Sequence, residues 1–290
     1  MTVTLRPLSP AVGVEVLGVD LRRLGEAEFV SIERAWHQHS VILLRDQPLG
    51  DDDLLAFSRR FGELDPPPNQ ERGRISPPGY PDIYVVSNVL DQNGDPIGAL
   101  GAGEAVWHTD MSYLDKPPDA SMLYALELPP DGGNTWFCGM QAACDALPAD
   151  LRRRIEGRRV KHDGTYNSGG YLRKGVTPTD DPMKAPGAWH PAVLRHPVTG
   201  APSLYLGRRR NSYVEGLAPA ESEALLDALW AHIEHPEFRY QHRWRVGDLL
   251  LWDNRSTMHR RDPFDNATRR VMHRTQIKGK VAPRAWVEAA

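Results

Sequence analysis

Hydrophobic and polar positions before residue 100 predict helices separated by short strands. Glu26–His39 has apolar residues at helical spacing, and Asp51–Phe61 begins with an acidic cluster that can cap a helix. Between these two helices, Val41–Leu44 is a short apolar run typical of a buried strand. Ile83–Asn88 and part of Val12–Leu21 are also predicted to be strands.

Beyond residue 100 the pattern predicts short strands separated by glycine and proline. Two helices interrupt them, over Met140–Glu156 and Pro219–His232. Closely spaced short strands indicate a closed or sandwiched antiparallel sheet. We therefore expect a mainly β protein with flanking helices and a jelly-roll core, forming a single domain over residues 1–290. The segment 163–186 is rich in Gly, Thr, Pro and Asp, and its length without regular structure predicts an active-site lid.

Composition narrows the class of protein. The 290 residues include 35 basic and 38 acidic side chains, so no charge excess points to a nucleic acid or to a membrane surface. The two cysteines do not form a disulfide framework, and the apolar runs are too short to cross a bilayer. The N-terminal stretch lacks the features of a signal peptide. We expect a cytoplasmic protein that binds neither nucleic acid nor membrane.

The stretch "WHTDMSYLDKPP" contains a His and an Asp two positions apart. On a strand, His108 and Asp110 would project from the same face. Two imidazoles and one carboxylate on one side of a metal form a facial triad, so this pair could supply two of its three ligands. A lone H-x-D motif is weak evidence, because short motifs often occur by chance. The histidines that could complete the set are His162, His190, His196 and His259.

The stretch "RRVMHRTQI" is predicted to be a strand with Arg270 and Arg274 on one face. An arginine that points into a protein is costly unless it meets an anion. Two such arginines therefore suggest two carboxylate-like groups near the metal. The alternative is a surface strand whose charges are solvated.

Five blocks of the sequence, in this order, resemble the TauD/TfdA family. They are W-H-T-D, G-G-x-T-x-F, H-P-V-T-G, R-W-x-x-G-D-x-x-x-W-D-N-R-x-x-x-H and R-R-x-M-x-R. The family consists of Fe(II)- and 2-oxoglutarate-dependent dioxygenases, typified by taurine dioxygenase and 2,4-dichlorophenoxyacetate dioxygenase. The resemblance extends over nearly the whole chain and implies a double-stranded β-helix, which is a variant of the jelly roll.

The resemblance also implies a role for individual residues. His108, Asp110 and His259 would bind iron, and Thr135 and Arg270 would bind the distal carboxylate of the co-substrate 2-oxoglutarate. Other positions would serve the primary substrate: Arg274 would hold its anionic group, and Trp252 would pack beside the iron. The reaction implied is O₂-dependent hydroxylation of a small anionic organic substrate, either a carboxylate or a sulfonate or sulfate, with succinate and CO₂ as co-products.

The chain departs from the taurine type of the family in two places. No histidine lies between His39 and His108, where the taurine type has a substrate-binding histidine. Glu104 stands four residues before His108, and its carboxylate would repel a sulfonate unless it pairs with an amine or an arginine. The block around His259 is closer to the phenoxyacetate type, so we expect a substrate other than taurine that comes near Glu104.

Two other functions fit the metal ligands alone. A zinc hydrolase could use the two histidines and the aspartate to activate water, although Arg270 and Thr135 would then have no task. A metal-binding domain without turnover is the other alternative, and the predicted lid and inward arginines argue against it. The family resemblance further implies a homo-oligomer, a dimer or a tetramer. The run Arg208–Arg210 is an alternative source of a cation for the substrate.

Overall fold

A computed structural model describes residues 3–67, 75–103, 105–179 and 181–287. Strands are the main elements in these ranges, and the helices pack on the outside of the strands. The strands are β1 (Thr4–Pro7), β2 (Val14–Leu17), β3 (Val41–Leu44), β4 (Tyr84–Ser87), β5 (Ala99–Leu100), β6 (Ala105–His108), β7 (Ala120–Glu127), β8 (Thr135–Gly139), β9 (Arg159–Lys161), β10 (Trp189–Pro191), β11 (Val193–Arg195), β12 (Pro202–Leu204), β13 (Tyr213–Val214), β14 (Arg239–His242), β15 (Leu249–Asp253), β16 (Thr257–Arg261) and β17 (Val271–Ile277). The helices are α1 (Glu26–His39), α2 (Asp51–Arg59), α3 (Met140–Asp145), α4 (Ala149–Ile155) and α5 (Pro219–Ile233), with 3₁₀ helices at Leu21–Arg23 and Pro236–Phe238.

Two sheets form the jelly roll. The larger has eight strands in the order β1-β2-β3-β15-β7-β17-β4-β5, and the smaller has four in the order β14-β8-β16-β6. Strands distant in sequence are neighbours in both sheets, and most of the pairs are antiparallel. One hydrophobic core takes residues from both, because Phe137 of β8 packs with Leu43, Leu123 and Trp252 of the larger sheet. The expected double-stranded β-helix is therefore confirmed.

The central strands are apolar at every position because both of their faces are buried. In β3, Val41 and Leu43 belong to the core between the two sheets. Ile42 and Leu44 face the opposite way and pack in the core that includes residues of α1 and α2. The continuous apolar run that predicted a buried strand thus reflects burial on both faces of the sheet. A separate core joins α3, α4 and α5 to Cys138 of β8 on the outside of the smaller sheet.

The single helix predicted over Met140–Glu156 is wrong, because the chain forms two helices there. α3 ends at Asp145, and α4 begins at Ala149 after Pro148. A proline disfavours the helical conformation of the residue before it, here Leu147, so one helix cannot continue through this point. The other predicted helices are confirmed, with ends that differ by at most two residues. No helix within the described residues is both long and apolar enough to span a membrane.

Candidate active site

Two histidines and one carboxylate meet where β6 pairs with β16. The antiparallel pairing places His259 directly opposite His108, and the centroids of their rings are 4.2 Å apart. Oδ1 of Asp110 lies 3.6 Å from Nε2 of His108 and 3.8 Å from Nε2 of His259. All three side chains are buried. Three potential metal-ligand atoms therefore face one another in a site largely shielded from solvent.

Asp110 reaches this site from a turn. The sequence had predicted one strand carrying both His108 and Asp110, but β6 ends at His108. The chain then turns, and Met111 takes a φ of 46°, which is uncommon for a residue other than glycine. The prediction of a strand at Asp110 is therefore wrong, but the side chains of His108 and Asp110 do project towards the same point, as expected. A backbone of this kind is often found at functional sites, where the surrounding structure holds it in place.

The second oxygen of Asp110 has two polar contacts. Ser121 donates from its hydroxyl to Oδ2 at 2.7 Å, and Nη2 of Arg274 forms an ion pair with the same oxygen at 2.8 Å. These contacts fix the orientation of the carboxylate, so that Oδ1 points at the two imidazoles. Such supporting contacts are typical of metal ligands in proteins.

The protonation states suit a divalent metal. Nδ1 of His108 lies 2.7 Å from the carbonyl oxygen of Val106, so Nδ1 carries the proton and Nε2 keeps a free lone pair. Burial lowers the pKa of His108, and burial together with the neighbouring His108 lowers the pKa of His259 well below its usual value. Burial alone would raise the pKa of Asp110, but Arg274 and His259 outweigh it and hold that pKa well below the usual range. Two neutral imidazoles and one ionised carboxylate are a donor set that fits Fe(II).

Arg270 is a buried cation without an ion pair among the described residues. It is 1% exposed, and its Nε and Nη2 have no hydrogen-bond partner there. Burial and the nearby Arg261 lower the pKa of Arg270 to about 9, so the guanidinium is still charged at neutral pH. A buried cation without a counter-ion is costly. The position therefore suits an anion supplied by a ligand.

Thr135 and Arg261 extend this basic region. The two residues are directly paired across β8 and β16. Trp244 donates from Nε1 to the Thr135 hydroxyl oxygen at 3.0 Å, which leaves the hydroxyl hydrogen available to another acceptor. Arg261 is 8% exposed, and its Nη2 donates to the carbonyls of Leu100, at 3.1 Å, and Gly103. Its Nε has no partner among the described residues.

The sequence analysis missed Arg261, although a signal was present. On a strand, the residue two positions after His259 points to the same side as His259. The outward residues of β16 behave accordingly, since Met258 packs in the core of α3, α4 and α5. The strand prediction around Arg270 also needs a correction. β17 begins only at Val271, and a bulge follows that residue, so simple alternation does not extend back to Arg270.

One cavity brings together six of the eight residues predicted for the site. Trp252 forms part of its wall, with its ring centroid 4.9 Å from that of His259 and 6.0 Å from Cζ of Arg274. A single small space thus joins the metal ligands to the buried cations. The predicted residues that line it are His108, Thr135, Trp252, His259, Arg270 and Arg274.

Asp110 lies in an adjoining cleft. Arg208 and Arg274 line this cleft together with His108 and Asp110. Residues of the predicted lid close it, namely Asn167, Ser168 and Arg173. The space enclosed is only about 20 Å³, enough for about one water molecule. Glu104, the remaining predicted site residue, lies outside the described residues.

In a second cluster of possible ligands, formed by His37, His196 and Asp253, the last two are already hydrogen-bonded within the protein, whereas Nδ1 of His37 has no partner among the described residues. Arg255 donates from Nε and Nη2 to the two oxygens of Asp253, and Nε2 of His196 lies 3.0 Å from Oδ2. Nδ1 of His196 accepts hydrogen bonds from the backbone N–H groups of residues 198 and 199. A metal would have to displace these bonds, so the cluster is better explained as a structural network.

Two histidines and one carboxylate that converge on one side of a possible metal site, leaving other positions open, are typical of non-haem Fe(II) oxygenases. The sequence model of the family described as "Taurine catabolism dioxygenase TauD, TfdA family" matches residues 4–276. The chain belongs to this family.

Characterised relatives match over almost their full length. The alpha-ketoglutarate-dependent 2,4-dichlorophenoxyacetate dioxygenase of Cupriavidus pinatubonensis is 38% identical, with 94% of this chain and 97% of the relative covered. The (S)-phenoxypropionate/alpha-ketoglutarate-dioxygenase of Delftia acidovorans is 31% identical, with 96% of each chain covered. The crystal structure of AAD-2 in complex with Mn(II) and N-oxalylglycine superposes with a TM-score of 0.79 at 30% identity, covering 98% of this chain and 100% of that chain.

Proposed function

We propose that this protein is an Fe(II)- and 2-oxoglutarate-dependent dioxygenase that hydroxylates a small anionic organic substrate, with succinate and CO₂ as co-products. The observation that carries the proposal is the single cavity shared by His108, His259, Thr135 and Arg270. Alpha-ketoglutarate is another name for 2-oxoglutarate, and the names of the relatives carry the same dependence.

We assign the metal to His108, Asp110 and His259. Bound Fe(II), with O₂ and 2-oxoglutarate, supplies oxidation of a C–H bond coupled to decarboxylation of the co-substrate. The chain's own contribution is to hold the metal through two neutral imidazoles and one oriented carboxylate. It also keeps much of the water away, because all three side chains are buried.

We assign the distal carboxylate of 2-oxoglutarate to Arg270 and Thr135, with Arg261 beside them. Arg270 has two unpartnered N–H positions, which is what a planar carboxylate requires for paired hydrogen bonds. Gly133 makes room beside it, since a Cβ there would lie 3.3 Å from Nε of Arg270. A zinc hydrolase would leave these buried cations without an anion.

The primary substrate would carry an acidic group that Arg274 binds and an apolar body. A further cavity of about 360 Å³ is within the size range of ligand pockets. It shares Tyr84, Leu100 and Asn167 with the cleft at Asp110, so the two spaces adjoin. Its outer wall carries large exposed apolar side chains, which are Leu90, Tyr171 and Leu172.

Residues 163–186 would act as a lid on this site, within one domain of residues 1–290. Asn167, Ser168 and Arg173 close the cleft beside Asp110, and the remaining space is too small for an organic substrate. Binding would therefore require these residues to move. Glu104 and Trp252 are the further positions that we assign to the neighbourhood of the substrate.

We also propose an oligomeric state and a cellular location for the protein. We propose a homo-oligomer, a dimer or a tetramer, on the strength of the family resemblance, and light scattering of the purified protein would measure its mass. We propose a cytoplasmic location because Cys138 and Cys144 are both free and buried. Fractionation of the cells that produce the protein would test the location.

The activity can be tested by screening organic acids, sulfonates and sulfate esters for formation of succinate that depends on the added compound. The reaction should require Fe(II), 2-oxoglutarate and O₂, and a hydroxylated product should appear in step with succinate. Hydrolysis of a substrate by the zinc-loaded protein, without consumption of 2-oxoglutarate, would contradict the proposal.

A further inference from the structure

Arg208 is a buried guanidinium with little to bind inside the protein. It follows β12 and is 8% exposed. Its Nη1 donates to the carbonyl oxygen of Tyr166 at 2.5 Å, and its Nε has no hydrogen-bond partner among the described residues. No ion pair joins it to any carboxylate in the part of the chain that the structure describes. This is unusual, because buried charges are normally paired.

Arg208 is nevertheless charged at neutral pH. Burial, and then the neighbouring positive charge of Arg173, lower its pKa to about 10. Asp163 and Asp110 oppose this effect from a distance, and so does Tyr113. Oδ1 of Asp163 accepts a hydrogen bond from the backbone N–H of Thr165 at 2.9 Å, and its Oδ2 has no hydrogen-bond partner among the described residues. Neither oxygen forms an ion pair with Arg208 in the described part of the chain. The positive charge of Arg208 therefore remains without a close counter-ion.

Arg208 shares the cleft at the metal ligands with Arg274. Arg274 already has one anionic partner, because its Nη2 forms an ion pair with Oδ2 of Asp110 at 2.8 Å. Its Nε has no partner among the described residues, so it can still bind one more acceptor. Asp110 is the only carboxylate among the described residues that line this cleft. The cleft thus has an excess of positive charge, because Arg173, Arg208 and Arg274 line it with one carboxylate. Of these, Arg274 forms an ion pair with that carboxylate and Arg208 does not.

We propose that Arg208 and Arg274 together bind the anionic head group of the primary substrate, a carboxylate or a sulfate, and that Arg208 supplies most of the neutralising charge. The inference rests on the proposed function and adds a residue to its substrate site. Two guanidinium groups offer N–H donors from two directions, which suits an anion with several oxygens. The same anion would relieve the cost of burying Arg208.

A structural role is the competing explanation for Arg208. Its bond to the carbonyl of Tyr166 could simply anchor residues of the predicted lid. The two roles differ in what a substitution changes. Loss of an anchor would lower thermal stability with little effect on anion affinity per folded molecule, whereas loss of a head-group contact would weaken anion binding at unchanged binding of 2-oxoglutarate.

The test compares Arg208→Gln, Arg208→Lys and the matched control Arg209→Gln. Arg209 stands next in the chain, but it forms ion pairs with Glu223 and Asp227 on α5. Each protein is loaded with Fe(II) and 2-oxoglutarate without oxygen. Calorimetry then measures the dissociation constants of 2,4-dichlorophenoxyacetate and of hexyl sulfate, which are a carboxylate probe and a sulfate probe. The melting temperature is recorded for every variant.

The wild-type protein should bind at least one probe, and the better probe identifies the head group. Arg208→Gln should weaken that binding by at least about 30-fold, the lower end of what truncating one partner of a buried charge pair costs. Arg208→Lys should recover part of the affinity because it restores the charge, and Arg209→Gln should stay within about twofold of the wild type. Wild-type protein that binds neither probe overturns the inference, and so does Arg208→Gln with unchanged affinity. A wild-type protein that fails to chelate 2-oxoglutarate at all would instead overturn the proposed function.

Discussion

Nη2 of Arg274 forms an ion pair with Oδ2 of Asp110 at 2.8 Å, while Oδ1 of the same carboxylate faces Nε2 of His108 and of His259. One carboxylate can therefore serve a metal through one oxygen and a guanidinium through the other. Because Arg274 also lines the cleft beside the metal ligands, a group that binds in the cleft is close to the same arginine. The contact links the metal site to the place that we assign to the primary substrate.

The position of Arg274 predicts that Arg274→Gln uncouples the two halves of the reaction. Chelation of 2-oxoglutarate should persist, because Arg270 and Thr135 are unchanged. Succinate should still form, but with much less hydroxylated product, since the primary substrate is no longer held near the metal. The ratio of succinate to product, measured on a substrate found by the screen, checks this prediction. The control is Arg269→Gln, which removes an exposed ion pair with Glu127 and should leave the ratio unchanged.

Arg270→Gln should instead weaken the binding of 2-oxoglutarate itself. Arg270 is buried without an ion pair among the described residues, so the distal carboxylate of 2-oxoglutarate would be its main partner. Breaking a buried charge pair costs on the order of 3–5 kcal/mol, which corresponds to a loss of affinity of roughly several hundred-fold or more. Titration with 2-oxoglutarate measures this loss. Equal losses in Arg270→Gln and Arg274→Gln would contradict the separate roles of the two arginines.

The five ordered sequence motifs pointed to residues that the fold brings together, since six of the predicted site residues line one cavity. The four-residue block W-H-T-D and the later stretch ending in His259 are far apart in the chain, and only the order of the blocks connected them. The structure explains the connection, because β6 and β16 are neighbours in the smaller sheet and their register pairs the two histidines. Register across a sheet depends on contacts between distant segments, so spacing along the chain cannot supply it.

Local backbone geometry was harder to predict. The turn that carries Asp110 has a positive φ at Met111 but contains no glycine or proline, which are the residues that most strongly indicate a turn in a sequence. The sequence named Arg208 only within the run Arg208–Arg210, as an alternative cation for the substrate, and it did not indicate Arg261. The importance of both residues follows from burial without a counter-ion, and burial depends on the tertiary packing around them. A break at Pro148, in contrast, could have been predicted from the sequence.

The lid proposal predicts slow and fast hydrogen exchange in different parts of residues 163–186. Amides with backbone partners, such as Gly164 bonded to Pro186 and Arg173 bonded to Thr165, should exchange more slowly. The amides of the turn around Asn167 are bonded only within that turn, as Asn167 is to Tyr171 and Gly170 is to Asn167. They should therefore exchange faster in the free protein than amides that tie the segment to more distant residues, and they should gain protection when Fe(II), 2-oxoglutarate and substrate are bound. Exchange measured by mass spectrometry with and without these ligands is the check. Unchanged exchange around Asn167 on binding would exclude closure by this segment.

Acid should destabilise the metal-free protein through His37. Burial lowers the pKa of His37 to about 4, whereas the unfolded chain has the usual value of about 6.5. Between these two values the unfolded chain binds a proton that the native protein does not, so the free energy of unfolding falls as the pH drops from about 6.5 to about 4. The side chain is partly solvated, which limits the expected loss to roughly 1–2 kcal/mol.

Denaturant unfolding of the metal-free protein at several pH values measures this dependence. His37→Gln should make it shallower over that range, because one titrating imidazole is gone while other buried histidines with lowered pKa values, such as His108 and His259, remain. His235→Gln is the matched control, since the side chain of His235 is 63% exposed. A pH dependence that is identical in the wild type and in His37→Gln would show that other groups are responsible.

Anaerobic titration of the Fe(II)-loaded protein with 2-oxoglutarate tests the assigned site most directly. Chelation of Fe(II) by the keto acid gives a weak visible charge-transfer band, which we predict for the wild type and for the control Asp115→Ala, whose side chain is exposed. Asp110→Ala should remain folded but show no such band at the same metal concentration, because it lacks the carboxylate ligand. A wild-type protein without the band, or an Asp110→Ala protein with the wild-type band and affinity, would contradict the assignment of His108, Asp110 and His259 as the iron ligands of a 2-oxoglutarate-dependent dioxygenase.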